Sequence, residues 1–275
     1  MTMGAVVRKK TVSRLLQDGD VKLKLIASAL NDVAERKLSP EEAEWVHRIE
    51  SIRKSLMRVR EKISITDYGA GTQSLGVVTA TKGRIVERTI GDVCRNSSES
   101  FRWVFLLFKL IRKSQPLVCL ELGTAVGISG SYLAAALELN LRGKLVTLEG
   151  ADALAALASE NFLKLGLKKT EIVVGRFQDT LRPTAVKNEP IDFVFFDGHH
   201  EEEATLAYYE QVLPSLSNEA ILVFDDVSWS KGMARAWKTI QNHEHVRIAV
   251  DLFDLGICVF SKLPVEKKNR RIVLL

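Results

Sequence analysis

Glycines and carboxylates follow two apolar segments in the second half of the chain, where they could bind a ligand. The first segment contains Glu121 and ends at Gly123, before a turn that reaches Gly127. Such a turn exposes backbone N–H groups at the start of a helix. The second segment ends at Glu149, and the two oxygens of a carboxylate can accept both hydroxyls of a ribose. These residues therefore predict a site for a cofactor that contains a nucleoside.

The charge of the first turn distinguishes between such cofactors. A dinucleotide-binding turn has the pattern G-x-G-x-x-G, whereas this chain has Ala125 and Ile128 in place of two of the glycines. Glu121 lies two residues before Gly123, where a carboxylate would repel a pyrophosphate but favour the cationic groups of S-adenosylmethionine (SAM). The residues therefore favour SAM over a nicotinamide or flavin cofactor. The alternative is that they form only a strand-to-helix turn.

Three more carboxylates follow two later strand-like segments. Asp197 comes directly after one segment, and Asp225 and Asp226 come after the next. Neighbouring parallel strands end at the same edge of a sheet, so these side chains could converge. Crowded carboxylates repel unless they are protonated or neutralised, and Mg²⁺ is a suitable counter-ion. The alternatives are that Asp225 caps the following helix and that Asp226 faces solvent or a basic side chain.

The segments around these residues alternate between strand-like and helix-like patterns from residue 116 onward. This alternation is typical of βαβ units with helices on both faces of a parallel sheet. It predicts an α/β, doubly wound fold. The predicted strands are 118–122, 144–148, 171–174, 192–196, 220–224, 246–250 and 256–261.

Residues 1–115 differ in character and are predicted to form a helical N-terminal extension, which leaves 116–275 as the cofactor-binding domain. Residues 1–64 have few helix breakers, and Ser39 and Pro40 have the pattern of a capped helix start. The helix that follows has one apolar face, formed by Trp45, Ile49, Ile52 and Leu56. Beyond it, Tyr68 has glycine neighbours and is a candidate lid element over the cofactor. The alternative is a simple turn.

The composition, 46% hydrophobic and 27% charged, is that of an ordinary globular protein and excludes collagen-like and disordered classes. The three cysteines are isolated, which predicts reduced thiols rather than a disulfide framework. Neither a secretory signal nor a membrane-spanning run is recognisable. We therefore expect a cytoplasmic location and no membrane partner.

The net charge of +5 is unevenly distributed. Residues 1–115 contain 22 basic and 13 acidic residues, whereas residues 116–275 contain 17 and 21. The basic residues are interleaved with acidic ones and form no Lys/Arg run longer than three. A nucleic-acid partner is therefore not favoured.

Taken together, these motifs resemble class I SAM-dependent methyltransferases, and within them the group of catechol and caffeoyl-coenzyme A O-methyltransferases and cephalosporin-hydroxylase-like proteins. The resemblance covers about residues 116–262. It implies a Rossmann-like sheet of seven strands, mostly parallel, with the last strand antiparallel. The residues that it implies for cofactor binding are Glu121, Gly123, Thr124, Gly127, Ser129, Glu149, Phe177, Gln178 and Asp197.

Within this set the resemblance assigns the methionine part to the first turn, the ribose to Glu149, and the adenine to Phe177 and Gln178. A core packing role is the alternative for Phe177. The implied metal ligands are Asp197, Asp225 and Asp226. Catechol-type members have Asn where this chain has Asp226.

The implied catalytic residues are Asp197 and His200. Catechol-type members use as general base a Lys three residues after the acidic residue, and His200 occupies that position here. Imidazole can accept a proton near neutral pH. The alternative is that His200 hydrogen-bonds backbone or Asp225 at a helix start.

The sequence therefore predicts a SAM-dependent methyltransferase (EC 2.1.1.-) that methylates an oxygen of a small-molecule acceptor, assisted by Mg²⁺ or another divalent cation. One alternative is a nucleic-acid (RNA) methyltransferase. The other is a non-catalytic homologue that binds the cofactor, with an extension that serves for assembly as a homodimer.

Overall fold

The computed structural model describes residues 12–13, 15–68, 83–263 and 268–271. The described N-terminal part combines helices with a two-stranded antiparallel ribbon. Its elements are α1 (Val21–Ala34), α2 (Pro40–Leu56), β1 (Lys62–Asp67), β2 (Arg84–Thr89), α3 (Ile90–Asn96) and α4 (Phe101–Ser114). None of the helices within the described ranges has both the length and the apolar character needed to cross a membrane.

From residue 118 onward, strands alternate with helices as predicted. The strands are β3 (Val118–Leu122), β4 (Lys144–Glu149), β5 (Thr170–Val174), β6 (Ile191–Phe196), β7 (Leu216–Phe224), β8 (Val246–Asp251), β9 (Gly256–Phe260) and β10 (Lys268–Arg271). The helices are α5 (Ile128–Leu139), α6 (Asp152–Leu165), α7 (Phe177–Lys187), α8 (Glu202–Val212) and α9 (Lys231–Asn242). The predicted α/β class is confirmed.

β3 to β10 form one sheet in the order β10-β8-β9-β7-β6-β3-β4-β5. β9 is antiparallel to both β7 and β8, and all the other pairings of this sheet are parallel. The seven predicted strands are thus present, and the last of them is antiparallel. β10 is an additional edge strand. Its sequence, Lys-Asn-Arg-Arg, lacks the apolar pattern on which strand prediction depends.

The direction of winding reverses at β3, which lies between β4 and β6. The chain extends the sheet through β4 and β5 on one side of β3 and through β6 and β7 on the other. A crevice forms at such a point, outside the carboxyl ends of the strands. β3, which contains Glu121, β4, which contains Glu149, and β6, which Asp197 follows, all end at this crevice.

Apolar layers cover both faces of the sheet. Along β6, Phe193 and Phe195 belong to a hydrophobic cluster that includes residues of α1 to α6, whereas Val194 and Phe196 belong to a cluster that includes residues of α7, α8 and α9. This alternation follows from the two-residue period of a strand. Because the first layer includes α1, α2 and α4, the N-terminal helices share a hydrophobic core with the sheet.

The start of α2 forms as its sequence predicts. The Ser39 side chain accepts a hydrogen bond from the Glu42 backbone N–H at 3.3 Å, and the Glu42 carboxylate accepts one from the Ser39 N–H at 3.0 Å. These reciprocal bonds satisfy N–H groups that have no partner inside the helix. The apolar face is also confirmed, because Ile49 and Leu56 are buried and Trp45 and Ile52 pack against them.

The prediction of helix over residues 1–64 is wrong at its end. Residues 62–64 belong to β1, which pairs with β2 from Lys62 opposite Thr89 to Asp67 opposite Arg84. β-branched residues alternate with polar ones in Ile63-Ser64-Ile65-Thr66, and this pattern fits a strand better than a helix. The scarcity of helix breakers was therefore a poor guide to the end of this stretch.

Candidate functional site

The turn after β3 brings the ends of β3 and β6 into direct contact. Gly123 has a φ of 101°, and a Cβ atom there would lie 1.9 Å from the carbonyl oxygen of Asp197. Only glycine fits both this backbone conformation and this close approach. Gly127 also has a positive φ, 82°, and immediately precedes α5. The predicted turn is therefore confirmed as the link between β3 and a helix N-terminus.

Glu121 is completely buried beneath this turn. The Thr147 hydroxyl donates to its Oε2 at 2.7 Å, and the Ser129 side chain also hydrogen-bonds the carboxylate. Its Oε1 has no hydrogen-bond partner. Burial raises the pKa of Glu121 to about 7, although the two hydroxyls oppose the shift. A buried carboxylate oxygen without a partner, near the crevice end of β3, fits the cationic end of a bound ligand.

Glu149 is held at the end of β4 by backbone N–H groups. Ala125 donates to its Oε2 at 2.8 Å and Ala151 donates to its Oε1 at 2.9 Å. Burial raises the pKa of this carboxyl, and the backbone hydrogen bonds oppose that effect. Each oxygen has a second lone pair. The carboxylate is thus fixed in orientation and can still accept hydrogen bonds from a diol.

Phe177 and Gln178 begin α7, after β5. The Phe177 ring lies edge-on to Tyr208, with centroids 5.6 Å apart, and packs against Gly198. Gln178 is exposed. Phe177 is half-buried and contacts the core on the α7 to α9 side, so contact with an adenine stays a prediction for both residues.

Ionisable side chains meet at the ends of β6 and β7, which are neighbours as predicted. Ligand atoms of Asp197, His200 and Asp225 all lie within 4.8 Å of one another. His200 Nε2 is 3.8 Å from Asp197 Oδ1, and its Nδ1 is 3.8 Å from Asp226 Oδ2. The structure therefore groups His200 with Asp197 and Asp225, and Asp226 faces the His200 ring.

Glu99, in the loop between α3 and α4, is a further member of this cluster that the sequence analysis missed. Its carboxyl group hydrogen-bonds Asp225. Arg53 Nη1 donates to the Glu99 carbonyl at 2.6 Å and thereby fixes the loop to α2. The preceding residues, Asn96-Ser97-Ser98, predict an exposed loop. Only tertiary packing brings Glu99 to the strand ends.

The cluster contains more carboxyl groups than can be ionised at the same time. Burial raises the pKa of Asp197 well above its ordinary value, and the Glu99 carboxylate adds to the shift. Burial and Asp197 have the same effect on the pKa of Asp225. Burial lowers the pKa of His200, although Asp226 opposes the shift. The cluster thus favours a neutral imidazole among carboxyl groups that need protons or a cation.

The donor set fits a divalent cation. Two carboxylates and an imidazole within 4.8 Å of one another match the oxygen and nitrogen ligands of ions such as Mn²⁺, and the carboxylates match those of Mg²⁺. The neighbouring Glu99 and Asp226 add negative charge that a cation would neutralise.

Comparison with known proteins agrees with this geometry. Residues 120–227 match a family model described as a methyltransferase domain. This part of the chain, about two fifths of its length, is similar to that family. The match spans β3 to the end of β7, so the turn, Glu149 and the acidic strand ends all lie inside the domain. It confirms the resemblance to class I methyltransferases. A comparison with curated proteins finds no match.

Solved structures are similar to 60% or more of this chain. The O-methyltransferase from Bacillus cereus in complex with SAH is 24% identical, with a TM-score of 0.52, over 60% of this chain and 83% of that chain. The O-methyltransferase TomG from Streptomyces achromogenes, involved in tomaymycin synthesis and solved with SAM, is 25% identical, with a TM-score of 0.52, over 60% and 82%. The SAH-bound methyltransferase PaMTH1 from Podospora anserina is 16% identical, with a TM-score of 0.54, over 82% and 99%.

Proposed function

We propose that this chain is a SAM-dependent methyltransferase that transfers a methyl group to an oxygen atom of a small-molecule acceptor. The observation that carries the proposal is the pair Glu121 and Glu149, two buried carboxylates at the crevice end of neighbouring strands in a methyltransferase domain. The similar O-methyltransferases solved with SAM or SAH support the same cofactor.

Each of the two carboxylates binds a different part of the cofactor in this proposal. Glu149 accepts the ribose hydroxyls, since backbone N–H groups already fix its orientation. Glu121 attracts the cationic methionine end, because its Oε1 is unpartnered and its burial strengthens the electrostatic interaction. The residues that line the methionine part are Gly123, Thr124, Gly127 and Ser129.

Methyl transfer is an in-line displacement at carbon. The acceptor oxygen forms a bond to the methyl carbon while the carbon–sulfur bond breaks and its electron pair stays on sulfur. The acceptor hydroxyl proton passes to His200, whose pKa burial lowers so that the ring is neutral near pH 7. The facing Asp226 carboxylate, 3.8 Å away, then stabilises the imidazolium.

Asp197 and Asp225 would hold a divalent cation beside His200, which serves as the base rather than as a ligand. Asp226 adds a further carboxylate at the Nδ1 side of the His200 ring. When bound, such a cation lowers the pKa of an acceptor hydroxyl and neutralises the clustered carboxylates. Asp197 would also face the transferring methyl group, because its backbone lies directly against Gly123.

A small molecule is a better acceptor than a nucleic acid for this site. Glu99, Asp197, Asp225 and Asp226 cluster at the strand ends next to the proposed base His200. Such a cluster repels the phosphates that dominate nucleic-acid binding. A chelating or neutral hydroxyl compound meets no such penalty.

Calorimetry with SAM tests the proposal. Wild type should bind SAM, and Glu149→Ala should weaken binding by about 100-fold or more, because two charge-assisted hydrogen bonds are lost. Glu160→Ala is a matched control, since Glu160 is exposed on the neighbouring helix α6, and it should bind as wild type does. Absence of SAM binding to folded wild type would rule the function out.

A titration with Mg²⁺ and with Mn²⁺ tests the cation separately. Asp197→Asn should weaken binding of the cation by at least about tenfold, because an anionic ligand becomes neutral while its shape is kept. Asp179→Asn, at an exposed carboxylate on α7, is the control. Equal affinities of wild type and Asp197→Asn for the cation would show that Asp197 is not one of its ligands. This outcome would leave the SAM result unchanged.

A further inference from the structure

The end of the β1 strand lies against the crevice. Tyr68 directly follows β1, and its ring touches the backbone of Gly150. A Cβ atom at Gly150 would lie 2.9 Å from Tyr68 Cδ2 and 3.2 Å from Cε2. Gly150 is the residue after Glu149, so Tyr68 occupies the space that a side chain following the ribose-binding carboxylate would fill.

The opposite edge of the same ring is also fixed. A Cβ atom at Gly83, just before β2, would lie 2.9 Å from Tyr68 Cε1 and 3.2 Å from Cδ1. The ring is thus held edge to edge between two glycines, one on the ribbon and one at the end of β4. Neither of these contacts uses a ring face.

Neighbouring ionisable groups place the same segment across two more strand ends. Arg176, which follows β5, is close enough to Tyr68 for ionisation of the phenol to raise the pKa of the guanidinium. Asp67 interacts in the same way with His199, which follows β6. Residues 67 and 68 therefore lie beside the carboxyl ends of β4, β5 and β6, on the side of the crevice where Glu149 ends its strand.

We propose that Tyr68 binds the adenosine part of the cofactor, with a ring face packed against the nucleoside beside Glu149. The inference rests on the proposed function, since it assumes that SAM occupies the crevice. Gly150 has no side chain to cover the nucleoside, and the ribbon supplies the aromatic surface instead. The N-terminal extension thereby contributes a cofactor-binding residue from outside the matched domain.

Calorimetry with SAH and with 5′-methylthioadenosine, which lacks the amino-acid part, tests this role. Tyr68→Ala should weaken both ligands by about tenfold, which is the range for loss of an aromatic–base contact. Tyr68→Phe should stay within about twofold of wild type for both ligands. Ile85→Ala, at an exposed position of β2, is the control in the same ribbon and should bind both ligands as wild type does.

The outcomes separate this inference from the proposed function. Wild type that binds neither ligand contradicts the proposed function itself. Wild type that binds both, with Tyr68→Ala unchanged, overturns the role of Tyr68 alone. Loss of SAH binding with 5′-methylthioadenosine binding retained would also overturn it, since the contact would then be with the amino-acid part. Should Tyr68→Ala fail to fold, Tyr68→Leu keeps apolar volume without a ring, and wild-type affinity in that variant would equally count against the proposal.

Discussion

Glu121 makes the stability of the protein depend on pH. Its folded pKa of about 7 lies above the ordinary value of 4.5, so its contribution to stability is complete below pH 4.5 and is lost as the pH rises through 7. The glutamine amide does not ionise, so Glu121→Gln does not show this loss of stability at higher pH. The free energy of unfolding of the variant relative to wild type should therefore rise between pH 5 and pH 8, by on the order of 2 to 3 kcal/mol.

Urea denaturation of the cofactor-free proteins at the two pH values measures this difference. Glu160→Gln changes an exposed carboxylate and should show no comparable dependence on pH. If the difference between Glu121→Gln and wild type is the same at pH 5 and pH 8, the burial of Glu121 does not raise its pKa.

The sequence indicated Glu121, Glu149 and Asp197 because each lies in or directly after a strand whose apolar pattern is recognisable. Glu99 could not be found in this way. It lies in a polar loop, and its contact with Asp225 joins residues far apart in the chain. Local patterns report which side chains a strand carries but not which loop folds over them.

Among the elements, the junction of β3 with β6 is the least tolerant of change. Gly123→Ala should destabilise the protein by roughly 2 to 5 kcal/mol, because the new Cβ clashes with the Asp197 carbonyl and the positive φ is strained. Gly166→Ala is the control, since Gly166 also has a positive φ, 75°, but nothing lies within 4 Å of its Cβ position. Its cost should be about 1 kcal/mol.

Thermal and urea denaturation of the two variants separate backbone strain from the clash. Equal losses of stability would show that the close approach of the two strands does not add to the cost of Gly123→Ala.

The alternation of apolar strands and helices predicted this sheet, whereas the β1–β2 ribbon and β10 were missed. β2 and β10 are short and polar, and their residues carry little hydrophobic pattern. β1 has a strand-like alternation, which the scarcity of helix breakers outweighed in the prediction.

For the whole molecule, the N-terminal helices and the sheet share one hydrophobic core. Ile26 and Ile49 belong to the same cluster as Phe193 of β6, and the Tyr132 hydroxyl of α5 donates to Glu50 of α2 at 2.9 Å. A chain reduced to residues 116–275 would expose this apolar layer to water. We expect it to lose cooperative unfolding and to bind a hydrophobic dye.

Calorimetric melting of the shortened and full-length chains checks this expectation. A sharp transition at the full-length temperature, with SAH binding retained, would contradict it. The two parts of the chain carry unequal charge, yet Glu99 and Arg53 show that the basic extension reaches the acidic strand ends. A count of charges along the sequence does not show such contacts between distant segments.

Glu99 has a practical consequence for altering the protein. It is the member of the acidic cluster that comes from a loop, whereas Asp197, Asp225 and Asp226 follow strands of the sheet. Redesign of acceptor preference can therefore begin at Glu99, where a neutral or basic replacement changes the charge met by an incoming compound. The strand ends that we propose to hold the methyl donor keep their sequence in such a redesign.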